Sequence, residues 1–225
     1  ISACLVGSEM CIRDRDYMEK TLLSIGHSQH QVDYFINLLK SHDVNYILDV
    51  RSTPYSQFAA SYNRESIRPA LQSNGIEYAF MGNYFGARPT DSSLYSSNGY
   101  LDFEKVANSS RFKKGFDNVV KGVKQGFRIA FMCTEKDPIE CHRAILVTNA
   151  FYKAGYSIEH IMPDNTIQTQ QDINERLLDM YYPDRNQLSL FVSENLSAEQ
   201  YLLEAYKKQN EKIGYHPEEV QIGVG

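Results

Sequence analysis

Short apolar runs alternate with amphipathic stretches along most of this chain, and that alternation limits the folds open to it. Five runs read as strands: TLLSIG at 21–26, VNYILDV at 44–50, IEYAFM at 76–81, FRIAFMC at 127–133 and YSIEHIM at 156–162. Helix patterns lie between them. Val32, Phe35, Ile36, Leu38 and Leu39 give a helical apolar stripe, and Ser28-Gln29-His30-Gln31 reads as a capping box opening it. Asn63 caps a predicted helix to about Ser73; Pro69 inside it predicts a kink or break, and Asn74-Gly75 a stop. Residues 101–124 read as helix in two pieces, 138–154 as a helix ending at Gly155, 170–181 as a further amphipathic helix and 197–212 as a last one. The segment 82–100, rich in Gly, Ser and Tyr, reads as a functional loop. Strands alternating with helices imply βαβ units. The expectation is α/β: a three-layer sandwich with a mainly parallel sheet of about five strands and helices on both faces.

Residues 18–191 are expected to form one domain, and 192–225 a helical or disordered tail that packs on the domain or serves a partner. Residues 1–17 lack periodicity and a signal-peptide pattern. Within them Glu9-Met10-Cys11-Ile12-Arg13-Asp14-Arg15 resembles the translation of a sequencing-library adaptor, so the native start is expected near Met18. Without that leader, of the four cysteines only Cys133 and Cys141 remain, read as reduced thiols of a cytoplasmic protein. The net charge of −5 argues against non-specific nucleic-acid binding, though a local basic pocket stays open. No apolar run reaches the roughly 18 residues of a membrane span, and composition is silent on oligomeric state.

In a parallel sheet, ligands bind beyond the carboxyl ends of the strands. The residues just past each predicted strand are polar while the strand bodies are apolar. Strand one leads to Gly26, His27 and Ser28; strand two delivers Asp49, Arg51, Ser52, Thr53 and Pro54; strand three leads to Asn83, Gly86 and Arg88. Strand four delivers Cys133 and Glu135, and His160 lies near the end of strand five. Asp137, Pro138 and Glu140 form a helix-start signal, which places Cys141, His142 and Arg143 in the first turns of the predicted helix. Arg51, Arg88 and Arg143 suit bidentate recognition of phosphate or carboxylate. His27 or His142 is the candidate proton carrier, Asp49 or Glu135 the orienting group or base, and Cys141 the candidate nucleophile. Ser28, Ser52, Gly86 and Cys133 complete the candidate binding set; Gly26 is read as permitting close ligand approach.

Blander readings attach to several of these residues. His27 can cap a helix, Asp49 and Arg51 can form a structural ion pair, Arg143 can bridge to Glu135 or Asp49, and a free cysteine such as Cys133 is commonly buried filling. Zinc held by His27, Cys133, Cys141 and His142 is the minority view, because the spacing fits no standard module and adjacent side chains at 141 and 142 diverge by roughly 100° around a helix. Phosphatase chemistry needs an arginine six positions after the cysteine, where this chain has Ile139 and Val147.

The signatures S-I-G-H-S (24–28), L-D-V-R-S-T-P-Y-S (48–56), N-G-I-E-Y (74–78), C-T-E…C-H-R (133–143), E-H-I (159–161) and Q-L-S-L-F (187–191) resemble the bacterial and archaeal family called domain of unknown function 488. The resemblance runs from about residue 21 to 191. The loop G-N-Y-F-G-A-R-P departs from the commoner L-G-G-R-P but retains Gly86 and Arg88. The resemblance implies an α/β sandwich and no particular reaction or cofactor. The residues themselves point to an enzyme or enzyme-like domain binding a small anionic ligand, of nucleotide or nucleic-acid-end type. The alternatives are a non-catalytic anion sensor and a zinc-dependent hydrolase.

Overall fold

The computed structural model describes residues 21–185 and 196–217. The leader at 1–17, the Q-L-S-L-F motif and residues 218–225 lie outside the described residues. The chain runs β1 (Thr21–Gly26), α1 (Val32–Ser41), β2 (Tyr46–Asp49), α2 (Arg64–Gln72), β3 (Glu77–Phe80), α3 (Gly82–Phe85), α4 (Phe103–Asn108), α5 (Ser110–Lys124) and β4 (Ile129–Cys133). A wide π-helical turn, Arg143–Thr148, feeds α6 (Asn149–Lys153), followed by β5 (Ser157–Ile161), β6 (Ile167–Thr169), α7 (Gln170–Tyr181) and α8 (Ala198–Ile213).

One six-stranded sheet has the order β3-β2-β4-β1-β5-β6. The five strands expected from the sequence all run parallel. The sixth, β6, is antiparallel to β5 and closes the edge through a tight turn in which Asn165 has a φ of +69°. Three residues are too few for a periodic pattern, which is why this strand is not legible beforehand. Every residue of β1 and β4 is buried, as expected of central strands covered on both faces.

Two apolar cores flank the sheet. On one face Phe35, Ile36, Leu38 and Leu39 of α1 and Ile67 and Leu71 of α2 pack on Leu23, Ile25, Ile47 and Met132. On the other, Phe112 and Val119 of α5, Ile145 and Phe151 around α6, and Leu177 of α7 pack on Leu22, Leu48 and Phe131. The three-layer α/β sandwich is therefore the observed fold. The chain leaves β1 and β2 toward the first face and β4 toward the second. Adjacent connections that part in this way open a crevice beyond the strand ends.

Three local expectations need correction. The N-cap of α1 is Gln31 without a side-chain bond, and Ser28 turns the chain in the left-handed region at φ +46° instead of capping. Helix α2 does not break at Pro69, which overturns the second half of the expected kink or break: the Ser73 amide donates to the Pro69 carbonyl at 3.0 Å, and Ile67 and Leu71 anchor the helix to the core. The helix expected over 138–154 is interrupted. Pro138–Glu140 is an isolated 3-10 turn capped by Asp137, Cys141 is extended at φ −134° and ψ 137°, and helix begins only after His142.

Candidate functional site

Strand register sets the site. Gly26 lies beside Cys133 and Asp49 beside Met132, so the segments following β1, β2 and β4 leave the sheet at one level. The loop after β4 crosses directly over Gly26. A Cβ there would fall 1.8 Å from the Glu135 carbonyl oxygen. Gly26 thus admits a neighbouring backbone, not a ligand as its position after a strand suggested. The amides of His27 and Ser28 donate to the carbonyls of Cys133 and Thr134 at 2.9 and 2.8 Å, stitching the two loops together.

Asp49 is fully buried and carries a dense network. Its Oδ1 accepts from Arg51 Nε at 2.9 Å, and its Oδ2 accepts from Arg51 Nη2 at 2.6 Å and from the Tyr78 hydroxyl at 2.7 Å. Arg51 Nη2 also donates to the Tyr62 carbonyl at 2.9 Å. The remaining guanidinium nitrogen, Nη1, donates to His27 Nε2 at 3.2 Å, while His27 Nδ1 donates to the Ser28 carbonyl at 2.9 Å. Both imidazole nitrogens are engaged, and the ring stacks on Tyr62 with centroids 4.1 Å apart. Burial and the Arg51 charge bring the His27 pKa down to about 4, so the ring is neutral. Burial lowers the Arg51 pKa, but the hydrogen bonds and charge of Asp49 outweigh it and the net shift is upward.

Cys133, Cys141 and His142 form a second group. His142 Nε2 donates to the Val50 carbonyl at 3.1 Å, which leaves Nδ1 as a bare acceptor. That Nδ1 faces Cys133 Sγ at 3.8 Å and Cys141 Sγ at 4.0 Å. The extended backbone at Cys141 makes this convergence possible and removes the divergence a helix would impose. Hydrogen bonding to Cys141, together with burial, holds the Cys133 thiol protonated with its pKa raised. Burial pushes the Cys141 thiol up as well, yet the bond from Cys133 and the Arg143 charge outweigh that and lower it. The Arg143 amide also approaches Cys141 Sγ at 3.5 Å.

The Arg143 guanidinium has no exposure. Its Nη1 donates to the Glu135 carbonyl at 2.6 Å and its Nη2 to the Lys136 carbonyl at 3.2 Å. It pins the loop that follows β4 and, among the described residues, forms no ion pair with a carboxylate. Asp137, beside it, pairs instead with Arg176 at 2.6 Å.

A cavity of about 470 Å³ opens above these groups, lined among others by Arg51, Ser52, Arg88, Cys133, Glu135, Cys141 and His142. His27, Ser28, Asp49, Gly86 and Arg143 lie behind that lining. Gly86 sits there for packing, since a Cβ would meet Ser52 Oγ at 2.8 Å. His160 stands apart, fully buried between the Ser24 hydroxyl at 2.7 Å and Gln170 Oε1 at 3.1 Å. Partial burial and the nearby Cys141 raise the Glu135 pKa. Thr53, Tyr55, Ala87, Thr134, Glu140, Ile213 and Tyr215 also line the cavity. Of these, Thr53 adjoins the marked Arg51-Ser52 pair, whereas Tyr215 gives no local signal. Arg88 lies over its ring at 4.9 Å, so the segment after α8 supplies one wall.

No curated protein and no solved structure matches the chain. The family model described as "Domain of unknown function DUF488" matches residues 31–149, which is more than half of the chain and spans α1 to the start of α6. By that match, the chain belongs to the DUF488 family.

Proposed function

We propose that this protein acts on a small anionic substrate of nucleotide or nucleic-acid-end type, held in the cavity at the carboxyl edge of the sheet. The observation that carries the reading is that two thiols and an imidazole form the floor of a cavity whose walls bear Arg51 and Arg88. A volume of about 470 Å³ suits a ligand of nucleotide size. Arg88 is the exposed cation and takes the anionic group; Arg51, already neutralised by Asp49, contributes its one remaining Nη1–H more than charge. Tyr55 and Tyr215 offer ring faces for a base. Glu135, with its pKa raised, is the candidate proton acceptor and the Cys141–His142 floor the reacting centre. His27 and Asp49 act at one remove, by fixing Arg51.

Titration calorimetry with inorganic phosphate, nucleoside monophosphates and a short 5′-phosphorylated oligonucleotide tests the proposal. Wild type is expected to bind at least one of these, and Arg88→Ala to weaken it by about tenfold or more, in line with the 1.5–3 kcal/mol of a hydrogen bond to a charged group. Absence of binding by all three, or equal affinity in the variant, defeats it.

A further inference from the structure

His142 is built like a metal ligand. Its Nε2–H is anchored to the Val50 carbonyl at 3.1 Å, the arrangement by which a backbone oxygen fixes tautomer and ring orientation so that the other nitrogen can coordinate. That other nitrogen, Nδ1, lies 3.8 and 4.0 Å from the sulfurs of Cys133 and Cys141. These distances are too long for strong hydrogen bonds. They approach the edge of a coordination tetrahedron: with Zn–S of ~2.3 Å and Zn–N of ~2.05 Å, the S···N edge is about 3.6 Å and the S···S edge about 3.8 Å. All three ligand atoms lie within 4.8 Å of one another.

We infer that Cys133, Cys141 and His142 bind one soft divalent cation of the zinc class, with the fourth coordination position open to the cavity. This deepens the proposed function and shares its cavity, since an ion at the floor would polarise an anionic oxygen held by Arg88. Three protein ligands with one open position is the pattern of reactive zinc sites, whereas structural sites are closed by four. His27, counted among possible zinc ligands on sequence grounds, is excluded because both its nitrogens are engaged by Arg51 and Ser28. Glu135 lines the same cavity but lies outside the three-residue cluster. Charge supports the assignment. Two thiolates balance a divalent cation, and the buried Arg143 guanidinium, unpaired with any carboxylate among the described residues, then favours an anion at the open position.

The full chain, stripped of metal with a chelator and titrated with Co²⁺, tests this. Expected are one Co²⁺ per chain, sulfur-to-cobalt charge-transfer absorption and tetrahedral ligand-field bands, all displaced by Zn²⁺. Cys133→Ser, Cys141→Ser and His142→Gln each weaken binding by more than about a hundredfold, beyond the 10–100-fold typical of losing an outer-shell partner. Cys4→Ser with Cys11→Ser leaves it unchanged. Should the buried variants fail to fold, X-ray absorption at the zinc edge of the wild-type protein is expected to give two sulfurs and one imidazole in the first shell. No binding, a first shell without sulfur, or ligand variants that bind like wild type overturn the inference. Arg88→Ala separates the two readings: it is expected to retain metal while losing anion affinity. Loss of anion binding in that variant, in a wild-type protein that takes no metal, leaves the proposed function standing without this inference.

Discussion

The charges of Asp49 and Arg51 share one buried contact but differ in what each would leave behind. Removing the Tyr78 hydroxyl takes one of several bonds from the carboxylate. Removing the Asp49 charge leaves a guanidinium that is only 6% exposed without its counter-ion. Tyr78→Phe is therefore expected to cost about 1 kcal/mol and Asp49→Asn about 3–5 kcal/mol, measured by urea unfolding. Equal costs would mean that the ion pair is not the main element of the network. Spacing made the Asp49–Arg51 pair legible, because residues two apart on a strand share a face. It gave no sign that Tyr78, Tyr62 and His27 complete the arrangement. Arg143 shows the same limit. Its position in a C-H-R motif suggested a ligand, but its guanidinium is bound to the carbonyls of Glu135 and Lys136 and is not among the groups that line the cavity.

Helix α8 shows how an element can be recognised without its role. The sequence reads as a last helix over 197–212 and Ala198–Ile213 forms it, but the sequence leaves open whether it packs on the domain. It does so through buried polar side chains. Gln209 Nε2 donates to the Ile139 carbonyl at 2.7 Å, and Asn210 bridges Leu101 and Phe103 at 2.8 Å each. The Tyr206 hydroxyl donates to Asn174 at 2.6 Å and accepts from Gln170 at 2.9 Å. Polar residues at such positions dilute the apolar stripe, which hid the packing face. Tyr206→Phe leaves two buried amides short of a partner, and a loss of about 1–3 kcal/mol is expected in a denaturant titration. An unchanged midpoint would show that α8 does not unfold with the body. The same helix carries the chain to Tyr215, so its docking builds the cavity wall.

At the scale of the molecule, two neutral buried histidines tie stability to pH. Burial and the Arg143 charge bring His160 down from 6.5 to about 3, and His27 falls to about 4. In the unfolded chain both return to about 6.5. Between those values the unfolded state binds more protons than the folded one, so stability is full above about pH 6.5 and falls as the solution is acidified. Each ring contributes a slope of about 1.4 kcal/mol per pH unit in that window. Thermal unfolding from pH 7 to 4.5 is expected to show a steep drop in Tm, with a shallower slope in His160→Gln whatever its absolute stability. A Tm that stays flat or rises on acidification contradicts the neutral assignment.

The alternation of apolar runs and helical stripes determined, by itself, the α/β class, five parallel strands and the polar rim at their carboxyl ends. Those patterns follow from side-chain periodicity, which is local to each segment. Only the tertiary structure decided which rim residues face the cavity. It set His27, Asp49 and Arg143 behind the lining, extended the backbone at Cys141 so that its sulfur and the His142 imidazole meet, and brought Tyr215 to the opening. Partner choice among residues far apart depends on strand order and register, and on a turn geometry settled by packing; no local stretch of chain carries that information.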